Sequence, residues 1–268
     1  MHPMKKVYIL FLSLILAAAC SKNSDNPGGT PPDPIDKSAN LLATGDSAGD
    51  ILSNDTFTKL LIEIAYVTGF QPSAEAMNNF QAFLQQRTFK QDIEIQYLEL
   101  SSPNEDDFTL QEIADLESEN RTAYNDGSTL AIYIYFADAP SENDDPQENT
   151  VTLGAVYRNT SMVIYENTVR DIATQSSQVT IADVETATLN HEFGHLLGLV
   201  NLGSPAVNDH EDANAEHHCD TNGCLMQAEI QFGGGLLGVM NKRISTGKAA
   251  VPSLDSECIL DLQANGGR

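Results

Sequence analysis

Thr188-Leu189-Asn190-His191-Glu192-Phe193-Gly194-His195-Leu196-Leu197-Gly198-Leu199-Val200 is the stretch that decides how this chain is read. Residues four apart on a helix face the same way. His191 and His195 can therefore present two imidazole nitrogens to one metal ion. Zinc suits such a pair, because neutral histidine nitrogen holds it at about 2.0–2.1 Å and the ion imposes no demanding geometry of its own. Glu192 follows the first histidine directly, where a carboxylate can take a proton from a water that the metal has made acidic. By composition an HExxH string arises by chance in roughly one chain of this length in a hundred. Here it also lies on a helix with recognisable ends. Thr180-Ile181-Ala182-Asp183 reads as a capping box at the start, and Gly198 fits a C-terminal cap.

Working back from the motif, the chain alternates between strand and helix signals. Phe57 to Val67 is rich in β-branched and aromatic residues and predicts a strand. Pro72 opens a helical stretch with Ala76, Met77, Phe80, Phe83 and Leu84 at helical spacing. Ile93, Ile95 and Tyr97 alternate as a second strand, and Thr109 to Tyr124 predicts a second helix stopped at Asn125-Asp126-Gly127. Leu130 to Phe136 is apolar enough to be a central strand covered on both faces. Ser141 to Asn149 is an acidic loop, followed by two short strands at Val151–Tyr157 and Met162–Tyr165. Beyond Gly198 the pattern is irregular until a last short helix between Pro252 and Gln263. The fold class is therefore α/β (α+β).

From the motif onward the chain resembles the metzincin peptidases. Their HExxHxxGxx string is followed by a third metal ligand, usually His or Asp, and later by a methionine turn. His191 to Val200 (HEFGHLLGLV) fits that string, and the next residue is Asn201, a poor zinc ligand. A second block, His218-Cys219-Asp220-Thr221-Asn222-Gly223-Cys224-Leu225-Met226, is similar to the archaemetzincin pattern HCx4CxM. The resemblance implies an insertion between Asn201 and His217, with His218 as third zinc ligand and Met226 in the methionine turn. His210 is the main competitor for the third position, with His217 and Asn201 behind it; Asp209, Glu211 and Asp212 could brace these histidines from behind.

It further implies a metzincin-like zincin fold: a twisted mixed sheet, an active-site helix and a loop-rich C-terminal subdomain with a terminal helix. In archaemetzincins, cysteines near the methionine turn join a later CxxC pair around a second, structural zinc. This chain has Cys219 and Cys224 but only Cys258 after them. A disulfide among these three is favoured over a cysteine-bound zinc outside the cytoplasm, with the pairing open. Metzincins lay a peptide against an exposed edge strand, for which Val151 to Tyr157 is the candidate, and Tyr157 and Tyr165 are possible aids to oxyanion stabilisation.

The N-terminus carries a different message. Lys5 and Lys6 precede an apolar run from Val7 to Ala19, the charged start and hydrophobic middle of an export signal. Ala17-Ala18-Ala19-Cys20 resembles the lipobox of bacterial lipoproteins, which implies cleavage before Cys20 and a lipid on that cysteine. Residues 20–40 are polar and rich in Pro and Gly, as a tether would be. The expected layout is a signal peptide at 1–19, the tether at 20–40 and a catalytic domain at 41–268. The expected location is the bacterial outer membrane, on its periplasmic or outer surface. The 268 residues carry 38 Asp and Glu against 14 Lys and Arg, a net charge of −24. A field of that sign repels phosphate backbones and excludes nucleic acid as a partner. The sequence thus predicts a monomeric zinc (Zn2+) endopeptidase acting on a peptide or protein substrate, with Glu192 as general base. A zinc hydrolase of non-peptide substrates and an inactive surface binding protein are the alternatives.

Overall fold

Successive residues of a strand point to opposite faces of its sheet, and here both faces of the sheet are covered by apolar cores. The structure is a computed structural model, and it describes residues 35–145 and 151–268. The signal peptide, Cys20, most of the tether and the end of the acidic loop lie outside the described residues. In chain order the elements are a 3-10 turn (Ser38–Asn40), α1 (Ala48–Leu52), β1 (Lys59–Val67), α2 (Ala74–Arg87), β2 (Asp92–Leu100), α3 (Leu110–Asn120) and β3 (Thr129–Phe136). Then follow β4 (Gly154–Arg158), β5 (Ser161–Ile164), α4 (Glu166–Ala173), α5 (Ile181–Leu196), β6 (Glu211–Asp212), β7 (Ala215–Cys219), α6 (Ala228–Gln231), α7 (Gly233–Ser245) and α8 (Ser256–Ala264). No helix among the described residues is long and apolar enough to cross a membrane.

The five-stranded sheet has the order β2-β1-β3-β5-β4. β2, β1, β3 and β5 run parallel, and β4 returns antiparallel along one margin, with a register shift between Val156 and Arg158. The fold is thus a mixed α/β sheet with helices on both faces. Leu60, Ile62, Ile64, Leu130, Ile132, Ile134, Met162 and Ile164 face one core, shared with Phe80 of α2 and Phe193 of α5. Phe80 and Phe193 meet edge to face, with ring centroids 5.2 Å apart. Ala65, Val67, Tyr133, Tyr135 and Val163 face the other core, closed by Ile113 of α3.

Three polar devices fix the frame. Glu117 of α3 is buried and accepts from Arg121 Nη1 at 2.7 Å, Arg158 Nη1 at 2.8 Å and Ser161 Oγ at 2.7 Å, which ties α3 to β4 and β5. Arg121 also donates to the Ala131 carbonyl, so the chain turns away there and α3 ends at Asn120 rather than reaching Tyr124. On the other face Glu185 of α5 accepts from the Ser73 backbone at 3.0 Å, occupying the N-terminus of α2. Asn40, the last residue assigned to the tether, is buried: its side chain bonds Asn125, the Ala131 carbonyl and Thr160. The folded part therefore begins before Leu41.

The region expected to be irregular contains the β6–β7 hairpin and the helices α6 and α7. The segment after β5, left unassigned by the sequence, is α4.

Candidate metal centre

α5 begins as the sequence predicts. Thr180 Oγ1 accepts from the Asp183 backbone at 3.1 Å, and Asp183 reaches back to the Thr180 N–H at 2.9 Å. The helix is buried along almost its whole length, so its histidines are placed by packing on every side rather than by one apolar stripe. His191, Glu192 and His195 are at most 4% exposed.

His218 enters from β7, and its ring completes a triangle. Centroids lie 4.9 Å apart for His191–His195, 5.4 Å for His191–His218 and 5.1 Å for His195–His218. One nitrogen of each ring falls within 4.8 Å of the others. The second nitrogens of two rings are fixed by carbonyls. His191 Nδ1 bonds Leu225 O at 2.7 Å, and His218 Nδ1 bonds Glu216 O at 2.8 Å. That sets Nδ1–H as donor on both rings and leaves the lone pair on Nε2. His191 Nε2, His218 Nε2, His195 Nδ1 and both Glu192 carboxylate oxygens are buried without a hydrogen-bond partner among the described residues. Buried polar atoms are nearly always paired, and five unpaired ones in one cluster fit a cation and a water between them.

Electrostatics agree. Burial, helped by the nearby His218, pushes His191 down to about 3, and burial lowers His195 and His218 as well. The imidazoles are therefore neutral near pH 7, as ligands must be. Burial pushes Glu192 up to about 8. A cation beside it favours the charged form and brings a carboxylate back toward the range of a working base.

Met226 lies directly beneath the motif. A Cβ on Gly194 would sit 2.4 Å from Met226 Sδ, so only glycine fits between the two histidines at this crossing. Gly154 on β4 makes an equally close approach, where a Cβ would sit 2.7 Å from Glu192 Cγ. β4 therefore runs past the carboxylate as a margin strand. Tyr157 does not approach this site: its side chain packs in the opposite core and its hydroxyl faces Glu117. Tyr165 is buried in that same core.

The other candidates for the third position lie elsewhere. Asn201 Nδ2 donates to Glu211 Oε2 at 2.7 Å, and His217, in the left-handed region at φ 62°, donates its N–H to Glu211 Oε1 at 2.6 Å. Glu211 thus braces the hairpin that delivers His218. His210 points away, with Nδ1 3.4 Å from Cys219 Sγ and Nε2 2.8 Å from Asp261 Oδ2. The disulfide expectation is not met. Cys219, Cys224 and Cys258 are free, buried thiols. The nearest hydrogen-bonded sulfurs, those of Cys224 and Cys258, stand 3.6 Å apart against about 2.05 Å for a bond.

No protein-family model and no curated protein sequence matches the chain. Among solved structures it is similar to archaemetzincin from Methanopyrus kandleri, at 15% identity and a TM-score of 0.47, over 77% of this chain and 94% of that one. It is also similar to metalloproteinase-II from Bacteroides fragilis, at 12% identity and a TM-score of 0.41, over 80% of this chain and 55% of that one.

Proposed function

We propose that the chain is a zinc-dependent endopeptidase in which His191, His195 and His218 hold the metal and Glu192 is the general base. The observation that carries this reading is the convergence of three buried imidazoles, next in the chain to a buried carboxylate whose oxygens have no hydrogen-bond partner among the described residues. Zinc, when bound, supplies a Lewis acid that polarises a substrate carbonyl and acidifies water. Glu192 takes the proton from the attacking water and passes it to the leaving amine nitrogen. The Leu225 and Glu216 carbonyls hold two rings in the tautomer that ligation needs. β4, paired on one side among the described residues, offers its outer backbone groups to an extended peptide lying across Glu192. The leader and Cys20 support export and lipid anchoring at a bacterial membrane surface.

The test is elemental analysis of the purified protein together with cleavage of a mixed peptide library. Glu192→Gln is expected to keep its zinc and lose about 10²–10⁴ of the turnover. Normal cleavage by that variant removes Glu192 from the mechanism. Absence of zinc at the histidines after incubation with the ion overturns the whole reading.

A further inference from the structure

Between α2 and α5 lies a cavity of about 390 Å3, closed on its other side by Leu225 and the segment 249–254. None of His191, Glu192, His195 and His218 lines it. It is nevertheless their neighbour: Asn190 of its wall precedes His191, and Leu225 supplies the carbonyl that holds the His191 ring. The two helices run the same way along it. The Ser73 N–H at the start of α2 meets Glu185 of α5, and Phe80 meets Phe193, about two turns further on in both helices. Asn79 Nδ2 donates to Thr186 Oγ1 at 3.3 Å between these contacts. Phe83 is one turn past Asn79, and Asn190 is one turn past Thr186, so these two are level across the cavity. Arg87 is one turn further along α2, about 6 Å along the axis.

Two polar groups of the wall have nothing to bind. Asn190 is 6% exposed, and its Oδ1 has no hydrogen-bond partner among the described residues. Arg87 Nε is likewise buried and unpartnered. Buried polar groups are nearly always paired, and leaving one unpaired is costly. Arg87 is the more telling, because the chain carries 38 Asp and Glu against 14 Lys and Arg. Lys59, Arg121, Arg158 and Arg170 each meet a carboxylate. Among the described residues no carboxylate pairs with Arg87, and burial pulls its pKa below the usual guanidinium value. The acid on the same wall, Asp183, is turned to Thr180 in the capping box of α5. The rest of the wall is largely apolar, with Phe83, Leu225 and Leu254 buried.

We propose that this cavity binds the C-terminal end of a peptide whose last side chain is apolar. The guanidinium fork of Arg87 takes the carboxylate, for which its paired donors are shaped. The amide of Asn190, which both donates and accepts, pairs with a main-chain amide of the same peptide. Phe83, Leu225 and Leu254 receive the apolar side chain. A cavity of this volume, mostly apolar with a few placed polar groups, has the character of a small-ligand site. Other small ligands fit less well. A sugar brings no charge to Arg87, and a dicarboxylate sets its second charge on a wall whose remaining ionised group is Asp183. The site is distinct from the histidine triad and does not depend on hydrolysis there.

The test is calorimetry on the full chain carrying Glu192→Gln, so that no probe is cut, with N-acetyl-alanyl-leucine and its C-terminal amide as the two probes. The acid is expected to bind one to a chain and the amide about 10–100-fold more weakly, as the loss of one charge-assisted pair predicts. Arg87→Gln, a change at a partly exposed residue in the last turn of α2, should weaken the acid by the same factor and abolish its preference over the amide. Asn190→Leu should weaken both probes about tenfold. Should that buried substitution unfold the chain, the NMR signals of the Asn190 side-chain amide and the Leu225 methyls in the Asn190-bearing protein give the same answer, by shifting with the acid. Removing metal with a chelator should leave the acid's affinity unchanged, which separates this site from the triad. Equal affinity for acid and amide, full affinity in Arg87→Gln, or no binding at millimolar probe overturns the site. So does binding that disappears with the metal, which would place the probe at the triad.

Discussion

Asn201 stands at the position where the metzincin string expects a ligand, and the structure gives it another task. Val200 and Asn201 are both in the left-handed region, at φ 53° and 61°. Asn accepts that conformation more easily than most residues, because its short side chain can bond locally. Its side-chain Nδ2 donates to Glu211 and its Oδ1 accepts the Ala206 N–H at 2.8 Å, so it anchors the insertion at two points. Asn201→Ala loses these bonds and adds left-handed strain, and is expected to cost about 2 kcal/mol. Asn201→Gly keeps the conformation and should cost about 1 kcal/mol less, as read from urea unfolding midpoints. Equal midpoints for wild type and Asn201→Ala would mean that the insertion is not anchored here. His191, Glu192 and His195 were legible because a helix turns their spacing into one face. His218 has no such local signal; it was placed by its resemblance block alone. The placement of His210 was not legible, because its partner Asp261 lies 51 residues away.

Close contact between β4 and α5 holds Glu192 in place. Gly154 meets Glu192, Thr188 and the Val163 carbonyl, so an added methyl must displace the carboxylate or the strand. Gly154→Ala is expected to keep zinc at the histidines, lower turnover at least tenfold and destabilise by about 1–3 kcal/mol. Full turnover in that variant would show that β4 does not seat the base. The elements themselves were read unevenly. β1, β2, β3, α2 and α5 announced themselves through period and caps. α7 did not, because Gly233, Gly234, Gly235 and Gly238 oppose helix formation and only its buried face, with Leu236, Leu237 and Met240, overrides them. α4 begins on Tyr165 without a side-chain cap, directly after β5, so its start carried no signal.

Across the whole molecule, two acidic side chains join the helices on the sheet's main core. Glu166 of α4 accepts from Arg170 Nε at 2.6 Å, yet burial and the neighbouring Glu185 carboxylate push it up to about 9. The folded chain holds this proton more tightly than the unfolded one, whose value is 4.5. The contribution is therefore full below about 4.5 and is lost as pH rises through about 9. Urea unfolding of wild type against Glu166→Gln should show an advantage for wild type that shrinks steadily across that window. A difference independent of pH would sink the assignment. At the margin opposite β4, β2 is paired, among the described residues, with β1 alone and leaves its outer edge without a neighbouring strand. Such an edge invites strands from other molecules. Asp92, Glu94 and Glu99 lie along it, the first two beside Lys59 of β1, on a chain whose net charge is −24, and under molecular crowding that excess of negative charge would keep neighbouring copies from stacking sheet to sheet.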